Sequence, residues 1–160
     1  NQAQVDLAIE LANRFPEIVR AVNVGNEIFV YWSWHKIDDI DGVIRKIRQV
    51  RASIKQPVTV SDDYNFWNKP ESKKIAAELD FICLHGYAVW NQQLLAGAMD
   101  WTKSTYQSIQ SHHPERFGSP DSISRDRNGP SDRMRASNSP ISFLSRVRCQ
   151  CVWPLLMACL

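Results

Sequence analysis

The stretch Ala-Val-Asn-Val-Gly-Asn-Glu-Ile-Phe, residues 21–29, decides how this chain folds. Its apolar-rich beginning is typical of a buried strand, and the run stops at Gly25. Glu27 then follows at the carboxyl end of the predicted strand. A carboxylate there costs desolvation free energy unless it is paired or used, and parallel α/β sheets and barrels bind ligands at this end. Glu27 is therefore the first candidate for a chemical role; the alternative is a Glu that caps the next helix or loop.

Helices and strands alternate on both sides of this stretch. Apolar residues at helical spacing predict helices, and short apolar runs predict strands. The predicted helices are 2–14, 39–54, 70–79 and 91–111, and the predicted strands are 20–25, 57–61 and 80–84. The alternation favours a parallel sheet with crossover helices, and its short repeat is typical of a (β/α) barrel.

Polar and aromatic residues follow each predicted strand, as expected for the active face of a barrel. The connection 28–36 carries Tyr31, Trp32 and Trp34. These rings can be plain packing, or they can stack on the C–H faces of a sugar. No G-x-G-x-x-G or Walker A motif is present, so the pattern is not that of a dinucleotide or P-loop nucleotide site.

Composition narrows the classes of protein further. The chain has 160 residues and a net charge of +2, which is too small to indicate a nucleic-acid partner. No run of 18 or more apolar residues predicts a membrane segment, and no signal peptide is visible. Cys149 and Cys151 lack further ligands at zinc spacing, so neither a metal nor another cofactor is expected.

The last part of the chain differs in character. Residues 115–140 are rich in Ser, Arg, Asp, Gly and Pro and contain no apolar run of strand length. Such a composition predicts a loop or disorder. Residues 141–160 are apolar again without a clean period and are predicted to contain a short helix. The sequence thus predicts a domain over 1–114 and an irregular tail over 115–160.

Three blocks of this chain resemble glycoside hydrolase family 17, and its bacterial β-1,3-glucanase and β-glucan synthase-like branch in particular. They are residues 22–27 (Val-Asn-Val-Gly-Asn-Glu), residues 57–64 with Trp67, and residues 79–87 with Trp90. The resemblance covers residues 1 to 116. It implies a partial (β/α)8 TIM barrel, comprising about strands four to six with their helices, in which the first three strands would precede residue 1.

The resemblance also implies roles for individual residues. Glu27 matches the general acid/base, and Asn26 matches the Asn that hydrogen-bonds the sugar 2-hydroxyl. The remaining matches line the sugar cleft, with the two tryptophans as stacking platforms: Tyr64, Trp67, His85, Tyr87 and Trp90. The implied partner is a β-glucan oligosaccharide or polysaccharide. A cell-envelope, periplasmic or membrane-linked location is likewise implied by the family alone.

The second catalytic carboxylate of the family has no clear match. A retaining glycosidase needs two carboxyl groups about 5–5.5 Å apart, one as acid/base and one as nucleophile. Counting back from Pro130 places Asp126 where the family has its nucleophilic Glu, but no Gly-Trp follows Asp126 and no apolar strand precedes it. Asp is also one methylene shorter than Glu. The nucleophile is therefore predicted to be missing or displaced.

The abrupt loss of pattern suggests a frameshift in the coding DNA near codons 114–120, partly restored near Pro130. A clean resequencing read that gives the same tail would reject this hypothesis. The sequence leaves two functions open. One is a fragment of a retaining β-1,3/β-1,6-glucan hydrolase or transglycosylase. The other is a catalytically inactive fragment that retains carbohydrate binding.

Overall fold

The computed structural model of this chain describes residues 2–117 and residues 158–159. Helices and strands alternate along it, which confirms the predicted mixed α/β class. The helices are α1 (Gln2–Arg14), α2 (Ile40–Ser53), α3 (Tyr64–Trp67), α4 (Ser72–Glu78), α5 (Leu95–His112) and α6 (Pro114–Phe117). The strands are β1 (Val22–Asn26), β2 (Val58–Asp63), β3 (Cys83–His85) and β4 (Ala158–Cys159).

The strands form one parallel sheet in the order β3-β2-β1-β4. Val22 of β1 pairs with Val58 of β2, and Ser61 of β2 pairs with Cys83 of β3. The first three strands are thus neighbours in chain order. Crossovers between parallel strands are right-handed, so this order favours helices on a single face of the sheet. Consistent with that, α2 contacts α1 on one side and α4 on the other.

Helix α2 shows how the sequence pattern produces this layer. Val43, Ile47 and Val50 recur at helical spacing and are all buried. Asp39 precedes the helix as its N-cap, and its Oδ1 accepts the backbone N–H of Gly42 at 2.8 Å. Such a cap stabilises a helix by about 1 kcal/mol. The apolar stripe therefore faces the sheet while the charged face remains in water.

The two faces of β2 differ in chemistry. Val58 and Val60 belong to the apolar core that the helices cover. Side chains alternate along a strand, so Thr59, Ser61 and Asp63 lie on the opposite face. All three are buried as well. The sheet consequently has an apolar face towards the helices and a polar face on its other side.

Two predicted boundaries are wrong by three residues or more, for identifiable reasons. Strand β3 begins at Cys83 rather than at residue 80, because Asp80 pairs with Val58 through both its backbone N–H and its carboxylate. Helix α5 begins at Leu95 rather than at residue 91. The chain forms turns before that point, and Gln92 has a positive φ of 56° that is incompatible with a right-handed helix.

Helix α3 has no counterpart in the predicted elements. It starts because Asp63 acts as its N-cap, with Oδ1 accepting the backbone N–H of Asn65 at 2.8 Å. No helix or strand is predicted between the strand 57–61 and the helix 70–79. The cap turns part of this segment into a short helix that carries Phe66 and Trp67 into the core.

The predicted tail is described only in part. Ala158–Cys159 form strand β4, parallel to Val22 and Asn23. The short helix predicted within 141–160 stays a prediction. Asp126, the rest of the stretch 141–160 and most of the suspected frameshift region lie outside the described residues. The predicted domain boundary between 114 and 115 falls in α6 and stays a prediction.

Candidate active site

Three ionisable side chains meet at the carboxyl edge of the sheet. Glu27 follows β1, Asp63 ends β2 and His85 ends β3. Asp63 and His85 are paired in register. Because neighbouring parallel strands end at the same edge, residues far apart in the chain are brought together here. The edge therefore combines two carboxyl groups and an imidazole.

Glu27 is held in an unusual backbone conformation. Its φ is +52°, which places a non-glycine residue in the left-handed region. Its backbone N–H donates to the carbonyl of Ser61 at 2.9 Å, so the residue is tied to β2. A strained, tied residue at a strand end is a common feature of functional sites. Its side chain is 32% exposed and so remains open to a ligand.

His85 is the hydrogen-bond partner of Glu27. Nδ1 of the imidazole lies 2.8 Å from Oε1 of the carboxylate. Nδ1 donates in this pair when the carboxyl is ionised, because an ionised carboxylate can only accept. The His85 side chain is only 3% exposed. A buried imidazole thus orients a partly exposed carboxylate, an arrangement suited to proton transfer at the Glu27 carboxyl.

Asp63 adds a further charge near this pair. Burial is the main cause that raises the pKa of its carboxyl, against hydrogen bonds from Asn65, and the charge of Glu27 raises it further. The imidazole of His85 acts in the opposite direction. The pKa of Asp63 therefore depends on the charges of both Glu27 and His85.

Asp62 is fully buried on the other face of β2. Its Oδ2 accepts the backbone N–H of Phe29 at 3.0 Å, and its Oδ1 accepts that of Asp63 at 2.8 Å. Burial raises the pKa of this carboxyl to about 6, although backbone N–H groups and the charge of His85 favour the ionised form. Neither Asp62 nor Asp63 was predicted as a site residue. The sequence does contain a signal for them, the two adjacent carboxylates after an apolar run. Because side chains alternate along a strand, one of two adjacent carboxylates must face the polar side of the sheet and the other the apolar side.

The raised pKa of Asp62 predicts how stability changes with pH. The folded chain binds this proton more tightly than the unfolded chain, whose Asp titrates near 3.8, so the contribution of Asp62 is largest below pH 4 and is lost as the pH rises to 6. The free energy of unfolding of wild type, relative to Asp62→Asn, should fall by about 2 kcal/mol between pH 4 and pH 7. Urea unfolding of both proteins at the two pH values measures this difference.

The comparison with Asp62→Asn isolates one group. Burial lowers the pKa of His113, which gives an opposite trend with pH, but His113 is present in both proteins and cancels. If the difference in free energy of unfolding between wild type and Asp62→Asn is the same at pH 4 and pH 7, Asp62 titrates normally in the folded chain.

A buried polar layer lies beneath the edge. Nδ2 of Asn23 donates to the hydroxyl of Ser61 at 2.9 Å, and Oδ1 of Asn23 accepts the backbone N–H of Ser61 at 3.0 Å. The hydroxyl of Thr59 donates to the carbonyl of Phe81 at 2.7 Å. These bonds connect β1, β2 and the segment before β3. Satisfied buried polar groups of this kind hold neighbouring strands in one register.

The loop after β3 is fixed to α3 by a short hydrogen-bonded chain. The hydroxyl of Tyr64 donates to Oδ1 of Asn91 at 2.7 Å, and Nδ2 of Asn91 donates to the carbonyl of Tyr87 at 2.8 Å. The ring of Tyr87 lies 5.5 Å from the imidazole of His85, measured between centroids. Tyr64 and Tyr87, both predicted from the sequence, are thus linked to each other and to the edge.

The other predicted site residues lie in three different environments. Asn26 is half-buried at the end of β1, directly before Glu27. Trp90 is 83% exposed on the loop after β3. The exposed rings of Tyr31 and Trp32 contact each other edge to face on the loop after Glu27, and Trp34 is exposed on the same loop.

The prediction that Trp67 is a stacking platform is wrong. Its side chain is completely buried, and Nε1 donates to the carbonyls of Asp62 at 3.1 Å and Cys83 at 3.2 Å. The ring also contacts Phe66 and His113. The capped helix α3 rotates this tryptophan into the core, where no sugar can reach it.

Two further properties bear on the kind of site. Within residues 2–117 and 158–159, no group of three or more His, Cys, Asp or Glu side chains could hold a metal ion. No helix in the same part of the chain is long and apolar enough to cross a membrane. Compared with protein-family models, curated proteins and solved structures, the chain matches none of them.

Proposed function

We propose that this chain is part of a retaining glycoside hydrolase or transglycosylase of family 17 that acts on β-glucan, with Glu27 as its general acid/base. The observation that carries the proposal is the hydrogen bond from buried His85 to the partly exposed carboxyl of Glu27 at the carboxyl edge of a parallel sheet. In such a reaction the acid protonates the leaving oxygen and then activates the incoming water or sugar hydroxyl.

The fold supports a partial (β/α)8 barrel as the scaffold. Strands β1, β2 and β3 are neighbours in chain order, as barrel strands are, and β4 lies on the other side of β1. The order β3-β2-β1-β4 is shared with doubly wound sheets, so the support for a barrel comes from the two faces of the sheet. The face of β2 away from the helices carries buried polar side chains instead of a second helix-covered apolar surface. In this proposal that polar face belongs to the inside of the barrel.

Aromatic side chains around Glu27 support a carbohydrate as the substrate. Tyr87 lies against the imidazole that binds Glu27, and Trp90 is exposed on the same loop. Tyr31 and Trp34 are exposed on the loop that follows Glu27. Exposed rings offer apolar faces to the C–H groups of β-1,3- or β-1,6-linked glucose units.

The nucleophile is the incomplete part of this proposal. Asp126, at the matching position, lies outside the described residues. The exposed aromatic rings also support the second candidate function, an inactive fragment that binds glucan without cleaving it. Both candidates require carbohydrate binding, and only the first requires turnover at Glu27.

Incubating the purified chain with laminari-oligosaccharides distinguishes the two candidates. Hydrolysis gives only shorter products, and transglycosylation also gives longer or branched products, because a covalent glycosyl-enzyme passes either to water or to another sugar. Chromatography of the products and a parallel titration of tryptophan fluorescence are the measurements. Binding without new products would support the inactive fragment. If the chain neither binds the oligosaccharides nor forms products, both candidates are rejected.

A further inference from the structure

Asp62 forms a hydrogen bond with the segment that follows Glu27, outside its own strand. It ends the apolar face of β2, with its side chain fully buried. Its Oδ2 accepts the backbone N–H of Phe29 at 3.0 Å. Phe29 is two residues after Glu27, and its ring stacks on Phe66 at a centroid distance of 4.2 Å. A buried carboxylate therefore anchors the first part of the loop that leaves Glu27.

Glu27 is tied to β2 on both sides. Its own N–H is bound by the carbonyl of Ser61 at 2.9 Å, and the chain two residues later is bound by Asp62. Between these two ties the backbone at Glu27 adopts its positive φ of 52°. A non-glycine residue stays in that conformation only when its surroundings impose it. The two ties supply that constraint, and Ser61 and Asp62 are consecutive residues of β2.

We propose that Asp62 is a positioning residue for Glu27: its carboxylate holds the segment at Phe29 so that the Glu27 carboxyl stays within hydrogen-bond distance of His85. The catalytic meaning of this role rests on the proposed function, whereas the positioning itself is a statement about geometry. Asp62 acts through the backbone and lies too deep to touch a substrate.

The chemistry of Asp62 fits this role better than a purely structural one. A buried carboxylate is costly, and an apolar residue of similar size would fill the same space without that cost. What an apolar residue cannot do is accept backbone N–H groups from two segments at once, here Phe29 and Asp63. The raised pKa of Asp62 shows that these bonds do not fully offset its burial. The carboxylate is therefore retained at a cost to stability.

Nuclear magnetic resonance of the full chain tests the positioning without any substrate. The proton shared by Nδ1 of His85 and the Glu27 carboxyl is protected in their hydrogen bond and should give a separate signal. The chain contains four histidines, and His85→Gln assigns the signal by removing it. Asp62→Ala should abolish the signal and Asp62→Asn should weaken it, because Phe29 and Asp63 bind different carboxylate oxygens and an amide has a single acceptor oxygen.

Asp80→Asn is the matched control. Asp80 also accepts a backbone N–H of β2, that of Val58 at 2.7 Å, but at the opposite end of the strand. It should lower stability without changing the His85 signal. Unchanged signals in folded Asp62→Ala would overturn the proposal, and if that variant does not fold, an unchanged signal in Asp62→Leu, which fills the same space but accepts no hydrogen bond, would do so.

The positioning and the proposed function can fail separately. Loss of the His85 signal in the Asp62 variants supports the positioning whether or not the chain cleaves glucan. If the signal is lost as expected but Glu27→Gln leaves glucan turnover unchanged, the proposed function fails and the positioning stands.

Discussion

Under the proposed function, replacing Glu27 with Gln should lower the cleavage of laminari-oligosaccharides by about 10²–10⁴-fold, the usual contribution of a general acid/base. Gln keeps the size of the side chain but cannot donate a proton to a leaving oxygen. Binding should change far less than turnover, since the amide can still accept the hydrogen bond from His85. Product formation under saturating substrate measures the first effect, and tryptophan fluorescence titration measures the second.

Substrates with different leaving groups test the role of Glu27 as an acid more specifically. Where the chain supplies the nucleophile, an aryl glucoside whose leaving group needs no proton should form the glycosyl-enzyme almost normally in Glu27→Gln, so the loss then falls on the second step. Glu17→Gln is the matched control, because Glu17 is exposed in the turn after α1. Equal rates for wild type and Glu27→Gln on the natural linkage would reject Glu27 as the acid/base.

Replacing Trp67 with Ala should destabilise the chain by about 3–5 kcal/mol, the range for large core aromatics. The side chain is completely buried, and its indole N–H bridges the carbonyls of Asp62 and Cys83 on neighbouring strands. Truncation leaves a cavity and two carbonyls without their donor. The free energy of unfolding of a whole domain is only about 5–15 kcal/mol. If this chain lies near the lower end of that range, the substitution removes much of the folded population. Urea unfolding followed by circular dichroism measures the loss.

Trp90→Ala provides the matched comparison, with the same change at a side chain that is 83% exposed. It should change stability by no more than about 0.5 kcal/mol. Under the proposed function it should instead weaken glucan binding. A loss below 1 kcal/mol for Trp67→Ala would mean that the core accommodates the change, contrary to the burial described above.

Helix periodicity was the most reliable guide to the secondary structure. The predicted helix 2–14 agrees with Gln2–Arg14, and 39–54 agrees with Ile40–Ser53 to within one residue at each end. Both helices bury a continuous apolar stripe, and α2 begins at a capping Asp. These signals are local, so they can be read without the rest of the fold.

The fate of each tryptophan could not be read in the same way. Trp67 and Trp90 both follow a predicted strand, in polar and aromatic surroundings. One is a core residue and the other is exposed, because Asp63 caps a short helix that turns Trp67 inward. The periodicity of a four-residue helix is too short to be recognised in a sequence.

The sequence by itself determined the parallel α/β alternation, the strand end at Glu27 and the set of polar and aromatic residues around it, because these depend on local apolar patterns. Only the tertiary structure decided that Glu27 meets His85, which is 58 residues away in the chain. That contact depends on the register of β2 against β1 and β3, on the positive φ at Glu27 and on the buried carboxylate of Asp62. Register and burial are properties of the assembled sheet, and no single segment contains them.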